Sequence, residues 1–309
     1  MKKITVFLLF VFCGFSLFGQ INAADSTVQV VGYWNVHDKQ TYQVTEESNK
    51  IQNATDTISK QKIAYLLDVE VLDSTANSYT IQWLSHDVKV LNTPNPLLDD
   101  LYKIGENSKI IFRVSETGVF KEILNWQEMQ AQNQKAFEML RTKFDTIPQL
   151  VNMINGLESK LNSKEAIEGS SVKLINQFYS FHGGKYKLGE EVNAPVKLPN
   201  AYGGEPFDGM LTVLLDEIDT DNDYSIIRSW QTADSGQLTE FAKKIVKDIA
   251  SDMNLDIQNE QLDFPPMVNE TRIASQIHGN TGWVIYSNMT TEVSLNNVLN
   301  IEETTIELQ

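Results

Sequence analysis

Two stretches of this chain follow one pattern, and that repetition constrains its fold more than any other feature. Residues 62–72 (KIAYLLDVEVL) run into the polar segment 73–78 and out through residues 79–83 (YTIQW). Residues 211–218 (LTVLLDEI), the polar turn 219–223 and residues 224–230 (YSIIRSW) keep the same order, with a shared Leu-Leu-Asp and a closing Trp. Runs rich in β-branched and aromatic residues, broken by Asp, Asn, Ser and Thr, read as hairpins. Each is followed by a helix signal. Asn95-Pro96 is an N-cap with proline at the first helical position, with Leu97, Leu98, Leu101 and Ile104 at helical spacing. Its counterpart starts near Gln237, with Ser235 as the cap and Leu238, Phe241, Ile245 and Ile249 on one face. A second hairpin then closes each half, residues 109–124 around Ser115-Glu116-Thr117-Gly118 and residues 272–288 around Gly279-Asn280-Thr281-Gly282.

Between the halves lies a helical block. Trp126, Met129, Phe137, Leu140 and Phe144 form one stripe, and Pro148 opens a second with Leu150, Ile154, Leu157 and Leu161. A third runs from Ser163 to about Tyr179. Each stripe is apolar on one side only, so the helices are expected to cover a sheet. No a/d heptad persists long enough for a coiled coil. The predicted fold is α+β: two similar antiparallel β-sheet units, each hairpin–helix–hairpin, with a helical insertion between them. The boundaries are 1–24 for a leader, 25–125 for the first unit, 126–180 for the insertion and 181–309 for the second unit.

The leader carries Lys2-Lys3, an apolar run over residues 4–18 and then small and polar residues, the three regions of a cleavable secretory signal. The run is shorter than the roughly 20 residues a spanning helix needs. Cuts near Gly19, Ala23 or Ala24 all leave a small residue at the scissile bond. Cys13 follows Phe12 and precedes more apolar sequence, which disfavours lipid anchoring there, and it is the chain's one cysteine. A processed chain then has none, which excludes disulfides and thiolate metal sites. Losing Lys2 and Lys3 from 25 basic residues leaves 23 against 41 acidic ones, a formal charge of −18. That balance disfavours nucleic acid and anionic membrane surfaces as partners. A periplasmic or secreted protein with no membrane span is expected.

Catalytic patterns are sparse. His37, His86, His182 and His278 are spread along the chain, with no His-Glu-x-x-His. His182 and His278 sit beside glycines in loops where an exposed imidazole could lie, but an ordinary turn residue beside glycine is the better reading. Asp219-Thr220-Asp221-Asn222-Asp223 has alternating oxygen donors, but an EF-hand requires Gly at the sixth place and Glu at the twelfth. Tyr224 and Trp230 stand there, so a solvated turn is the better reading. No Gly-x-Ser-x-Gly elbow, Ser-x-x-Lys pair or Walker cradle occurs. Paired acids for glycoside hydrolysis lie far apart in sequence, and the 41 carboxylates leave that chemistry open. Neither a metal nor another cofactor is indicated, and the leaning is toward a non-enzyme.

Aromatic residues give the remaining signal. Trp34, Trp83, Trp126, Phe178, Trp230 and Trp283 fall at strand ends and on helix faces, where they either line a ligand groove or fill a core. Phe18-Gly19-Gln20 and the segment Gly32-Tyr33-Trp34-Asn35-Val36-His37-Asp38 resemble uncharacterised exported proteins of the Bacteroidota. Asp56-Thr57-Ile58 and Asp145-Thr146-Ile147 are similar to that phylum's O-glycosylation signal, which implies glycans at Thr57 and Thr146. A sheet curved over covering helices is similar in outline to periplasmic lipoprotein carriers, which hold acyl chains between the two layers. The expected function is an exported, non-enzymatic binding or carrier protein for an apolar or amphiphilic ligand. An envelope structural or protein-interaction module is the alternative, and a glycan hydrolase stands third.

Overall fold

The structure is a computed structural model that describes residues 20–93, 106–198, 200, 205–252, 265–295 and 297–309. The helix expected at residues 95–104 lies outside them. In chain order the described elements begin with β1 (Ile21–Asn22), β2 (Thr27–Gln29), β3 (Lys39–Gln52), β4 (Asp56–Thr75), β5 (Ser78–Asn92), β6 (Lys109–Ser115) and β7 (Phe120–Ile123). Three helices follow, α1 (Trp126–Lys143), α2 (Pro148–Leu161) and α3 (Lys164–Tyr179). The second half holds β8 (Lys185–Lys187), β9 (Glu191–Leu198), β10 (Phe207–Asp219), β11 (Tyr224–Ala233), α4 (Ser235–Asp252), β12 (Val268–His278), β13 (Val284–Leu295) and β14 (Val298–Leu308).

Eleven of these strands form one antiparallel sheet in the order β7-β6-β5-β4-β3-β14-β13-β12-β11-β10-β9. The two β-rich stretches are thus two meanders of a single sheet, joined where β14 pairs with β3 and Ile306 faces Val44. Both meanders advance along the sheet in the same direction. Their shared Leu-Leu-Asp and Trp do not coincide, however. Trp83 lies opposite Val69, just beyond Leu66-Leu67-Asp68, whereas Trp230 lies opposite Thr212, before Leu214-Leu215-Asp216. The expected turn at residues 73–78 is also shorter than its polar composition suggests. Asp73, Ser74 and Thr75 stay in the ladder, and only Ala76-Asn77 turn.

Strand alternation puts Tyr42, Val44, Ile63, Leu67, Val69, Val71, Ile81, Trp83, Phe112 and Val114 on one buried face. The other face is polar, with Lys39 on Asp68 and Lys60 and Lys62 on Glu47. Helix α3 lies over the buried face. Ser163 caps it by accepting a hydrogen bond from the Ala166 N–H, and Ile175, Phe178 and Tyr179 join the sheet's core. The fully buried Gln177 donates to the Thr304 carbonyl at 3.0 Å and to Ser287 Oγ at 3.2 Å, which pins the helix across β13 and β14. Helix α1 packs on α3 and β6, whereas α2 contacts α1 and α3. Of the α2 stripe, Ile154 is buried while Leu157 and Leu161 are exposed.

A second core of Val28, Val30, Phe181, Leu215, Ile227 and Ile277 lies beneath the small sheet β1-β2-β8. Helix α4 covers β10 and β12, with Phe241 edge-on to Phe207. Its cap is Asp234, not Ser235: Asp234 Oδ1 accepts from the Gln237 N–H at 2.8 Å. A carboxylate there satisfies an orphan donor and complements the positive helix end.

Candidate functional site

An apolar cavity of about 200 Å³ lies between α3 and the first meander. Ile63, Tyr65 and Leu67 project into it from alternate positions of β4, and Trp83, Ser85 and Val88 come from β5. Glu46, Ser108, Ile110 and, from α3, Leu174 complete the lining. The opening arises from an irregular ladder. Ala64 faces Lys89 and Leu66 faces His86, so Asp87 and Val88 together oppose the single residue Tyr65. Asp87 takes the left-handed conformation, φ 54°, which Asp tolerates better than bulkier residues. Such a bulge bends its strand and re-aims neighbouring side chains. Here it turns Val88 and Tyr65 toward the gap.

A polar cleft of about 280 Å³ adjoins the cavity and shares Glu46 and Ile63 with it. Its other lining residues are Glu47, Ser48, Gln61, Lys173, Glu302, Glu303 and Thr304. Lys173 of α3 pairs with Glu302 of β14, bridging helix and sheet at the rim. Glu46 accepts a hydrogen bond from the Tyr65 hydroxyl at 2.8 Å, so one contact orients a residue of each compartment. On the opposite face of the sheet, hydrogen bonds from Lys60 and Asn49 bring the Glu47 carboxyl down to about 2, so the charge within the cleft comes from Glu46, Lys173 and Glu302 instead. The combined geometry is an apolar cavity beside a charged, hydrogen-bonding cleft.

The six aromatic residues singled out in the sequence fall into three settings. Trp34, Trp83, Phe178 and Trp283 share the first core, with Trp34 and Trp283 ring centroids 4.8 Å apart and Trp83 and Phe178 5.6 Å apart. Trp126 is partly buried at the edge of that core, and Trp230 is half-buried on the opposite face of β11 from Ile227. Trp83 also forms part of the cavity wall. Ile63, Tyr65, Val88 and Glu46 were not singled out, because the bulge that assembles them depends on pairing between strands.

His182 is a turn residue beside Gly183, as preferred for it from the sequence, and its side chain is buried. Its ring lies against Trp34 and Tyr179, and Nε2 donates to the Gly282 carbonyl at 2.8 Å. Burial brings its pKa down to about 4, outweighing the opposing effect of that hydrogen bond, so the imidazole is neutral at pH 7. His278 is half-exposed; its Nδ1 lies 3.0 Å from Thr281 Oγ1, and its Nε2 is 3.5 Å from Asp223. These contacts tie the β12–β13 turn to the β10–β11 turn. In the latter, Asp219 accepts from the N–H groups of Asp221 and Asn222, so its carboxylate serves the turn itself.

Thr57 and Thr146 both sit in exposed segments, flanked by exposed Ile58 and Ile147. Among the described residues no cluster of three or more His, Cys, Asp or Glu is arranged to hold a metal ion. No helix among them is long and apolar enough to cross a membrane.

No known protein family matches the sequence, and no curated protein does. Among solved structures, one of lipovitellin, titled for its lipid–protein interactions, is similar to this chain with a TM-score of 0.42 and 10% identity. The match covers 89% of this chain and 25% of lipovitellin, so the chain spans a quarter of that protein's length.

Proposed function

We propose that this chain is an exported, non-enzymatic binding or carrier protein of the cell envelope, periplasmic or secreted, whose ligand is amphiphilic. The observation that carries the reading is the pairing of an apolar cavity beneath α3 with a polar cleft, sharing Glu46 and Ile63. An engineered apolar cavity of about 150 Å³ suffices to hold benzene, whereas whole drug-sized ligands fill about 300–1,000 Å³. A slot of about 200 Å³ therefore suits a short stretch of alkyl chain, with the polar remainder lying among Glu46, Ser48, Gln61 and Lys173.

The test titrates the protein with N-phenyl-1-naphthylamine, whose emission rises in apolar surroundings, and then competes it with dodecyl maltoside below its micelle threshold. Saturable emission, displacement by the alkyl maltoside and loss of both in Leu174→Trp are expected. A folded wild-type protein that leaves the probe dark refutes the reading.

One observation favours a second role. Met153, Leu157 and Leu161 of α2, together with Ile147 just before it, are 42–55% exposed. Such an apolar stripe suits contact with another envelope protein. Crosslinking from Met153 in intact cells distinguishes this from ligand carriage. We further read the two meanders as related units, and Thr57 and Thr146 as O-glycosylation sites. An intact mass equal to the bare polypeptide from the native host refutes the glycans.

A further inference from the structure

Residues 20–22 are built into the native fold. The Gln20 side chain is buried and grips the Val31 backbone from both sides, Nε2 donating to the carbonyl at 2.5 Å and Oε1 accepting from the N–H at 3.2 Å. The Gln20 carbonyl in turn accepts from the Gln29 N–H at 2.9 Å. Beyond it, Ile21 and Asn22 pair with Val28 and Thr27, and Ile21 packs on the second core. Asn22 Oδ1 accepts from the Ala24 N–H.

Two glycines of the β12–β13 turn are fitted to these residues. At Gly279 an added Cβ would come within 2.7 Å of Ile21 Cδ1 as well as striking Asp223. At Gly282, whose φ of +72° already disfavours a side chain, a Cβ would strike the Val31 carbonyl and approach Gln20 Nε2 at 3.2 Å. The turn is shaped to receive Gln20 and Ile21. A leader ending at Ala23 or Ala24 would take that insert with it.

We infer that the leader is cut between Gly19 and Gln20, so that the working chain begins at Gln20. The processing site thereby moves from the boundary at residue 24 to one at residue 19. This rests on the export reading. A leader protease with a preference for small residues before the scissile bond adds water across the Gly19–Gln20 peptide bond. The C–N bond breaks, Gly19 leaves as a carboxylate and Gln20 gains an α-amine. Gly19 is the small residue this specificity requires, and the cut keeps every contact of residues 20–22 described above.

The experiment expresses the full chain from Met1 in a secreting bacterium, isolates it from the extracytoplasmic fraction and reads its first residue by intact mass and terminal peptide sequencing. A chain starting at Gln20 is expected. A start at Ala24 or Asp25 overturns this assignment and leaves export standing; an unprocessed chain starting at Met1 overturns the export reading too. As a second measurement, chains made directly as 20–309 and 25–309 are melted side by side. The shorter chain is expected to melt at least about 5 °C lower, because it lacks the Gln20 hydrogen bonds, the β1–β2 pairing and the Ile21 packing together. Equal midpoints would remove the structural reason for the cut.

Discussion

Replacing His182 by Gln tests the buried imidazole through the pH dependence of stability. His182 is buried among Trp34, Tyr179 and the Gly282 carbonyl, and its pKa is brought down to about 4 against an unfolded value near 6.5. The folded state therefore refuses a proton that the unfolded state accepts, and the unfolded chain binds more protons between pH 6.5 and 4. By linkage, stability is fully present above about pH 6.5 and falls as the pH drops toward 4. The loss is roughly 2 kcal/mol between pH 7 and pH 5, approaching about 3 kcal/mol at pH 4. Gln keeps a donor for the Gly282 carbonyl but does not titrate. Urea unfolding followed by tryptophan emission at pH 7, 6 and 5 reads the difference. His37, His86, His278 and all the carboxylates are common to both proteins, so their contributions cancel in the comparison. Wild type is expected to lose about 2 kcal/mol more than the variant over that interval. Parallel losses would show that His182 takes up its proton as readily folded as unfolded, and the packing argument would fail.

Three further substitutions and one control probe the scaffold. Trp83→Ala, at 2% exposure in the first core, should cost about 3 to 5 kcal/mol in urea unfolding, and a loss below about 1 kcal/mol would mean the site is not packed as described. Gln177→Ala leaves the Thr304 carbonyl without its side-chain donor and should cost about 2 kcal/mol, with faster amide exchange along β14 as the specific readout. Asp234→Ala removes the cap of α4 and should cost about 1 kcal/mol, whereas Ser235→Ala should be close to neutral.

The four hairpins and the helices α1 to α4 were legible because each depends on local information. Alternation marks the strands, Asp- and Gly-containing turns separate them, and Pro148 and Ser163 mark helix starts. Long-range pairing was not legible. Nothing in residues 39–52 announces that they pair with residues 298–308, and that pairing makes one sheet of two meanders. Similar sequence also proved weaker than register: Leu-Leu-Asp and Trp recur, yet they meet different partners in β4–β5 and β10–β11. The cavity was hidden for the same reason. Tyr65 and Val88 look like ordinary alternating strand residues until two residues of β5 face one of β4. For His182 the turn was legible and the burial was not, since Gly183 turns the chain while the imidazole before it points into an aromatic core.

The strand that unites the sheet is β14, and it pairs with a segment met some 250 residues earlier, Leu308 opposite Tyr42. Until β14 has been synthesised, the two meanders have no ladder in common and each presents an open edge, at β3 and at β13. Closing so long a loop is entropically costly and slow, and exposed edges invite pairing with the wrong neighbour meanwhile. The expected order of assembly follows from that cost: local hairpins ahead of the central seam, which amide-exchange protection of β3 and β14 later than of β4–β5 and β10–β11 during refolding would show. A chain arrested before residue 298 holds two half-sheets that have lost their common border, and its refolding should be limited by edge-to-edge association between molecules rather than by any step within one.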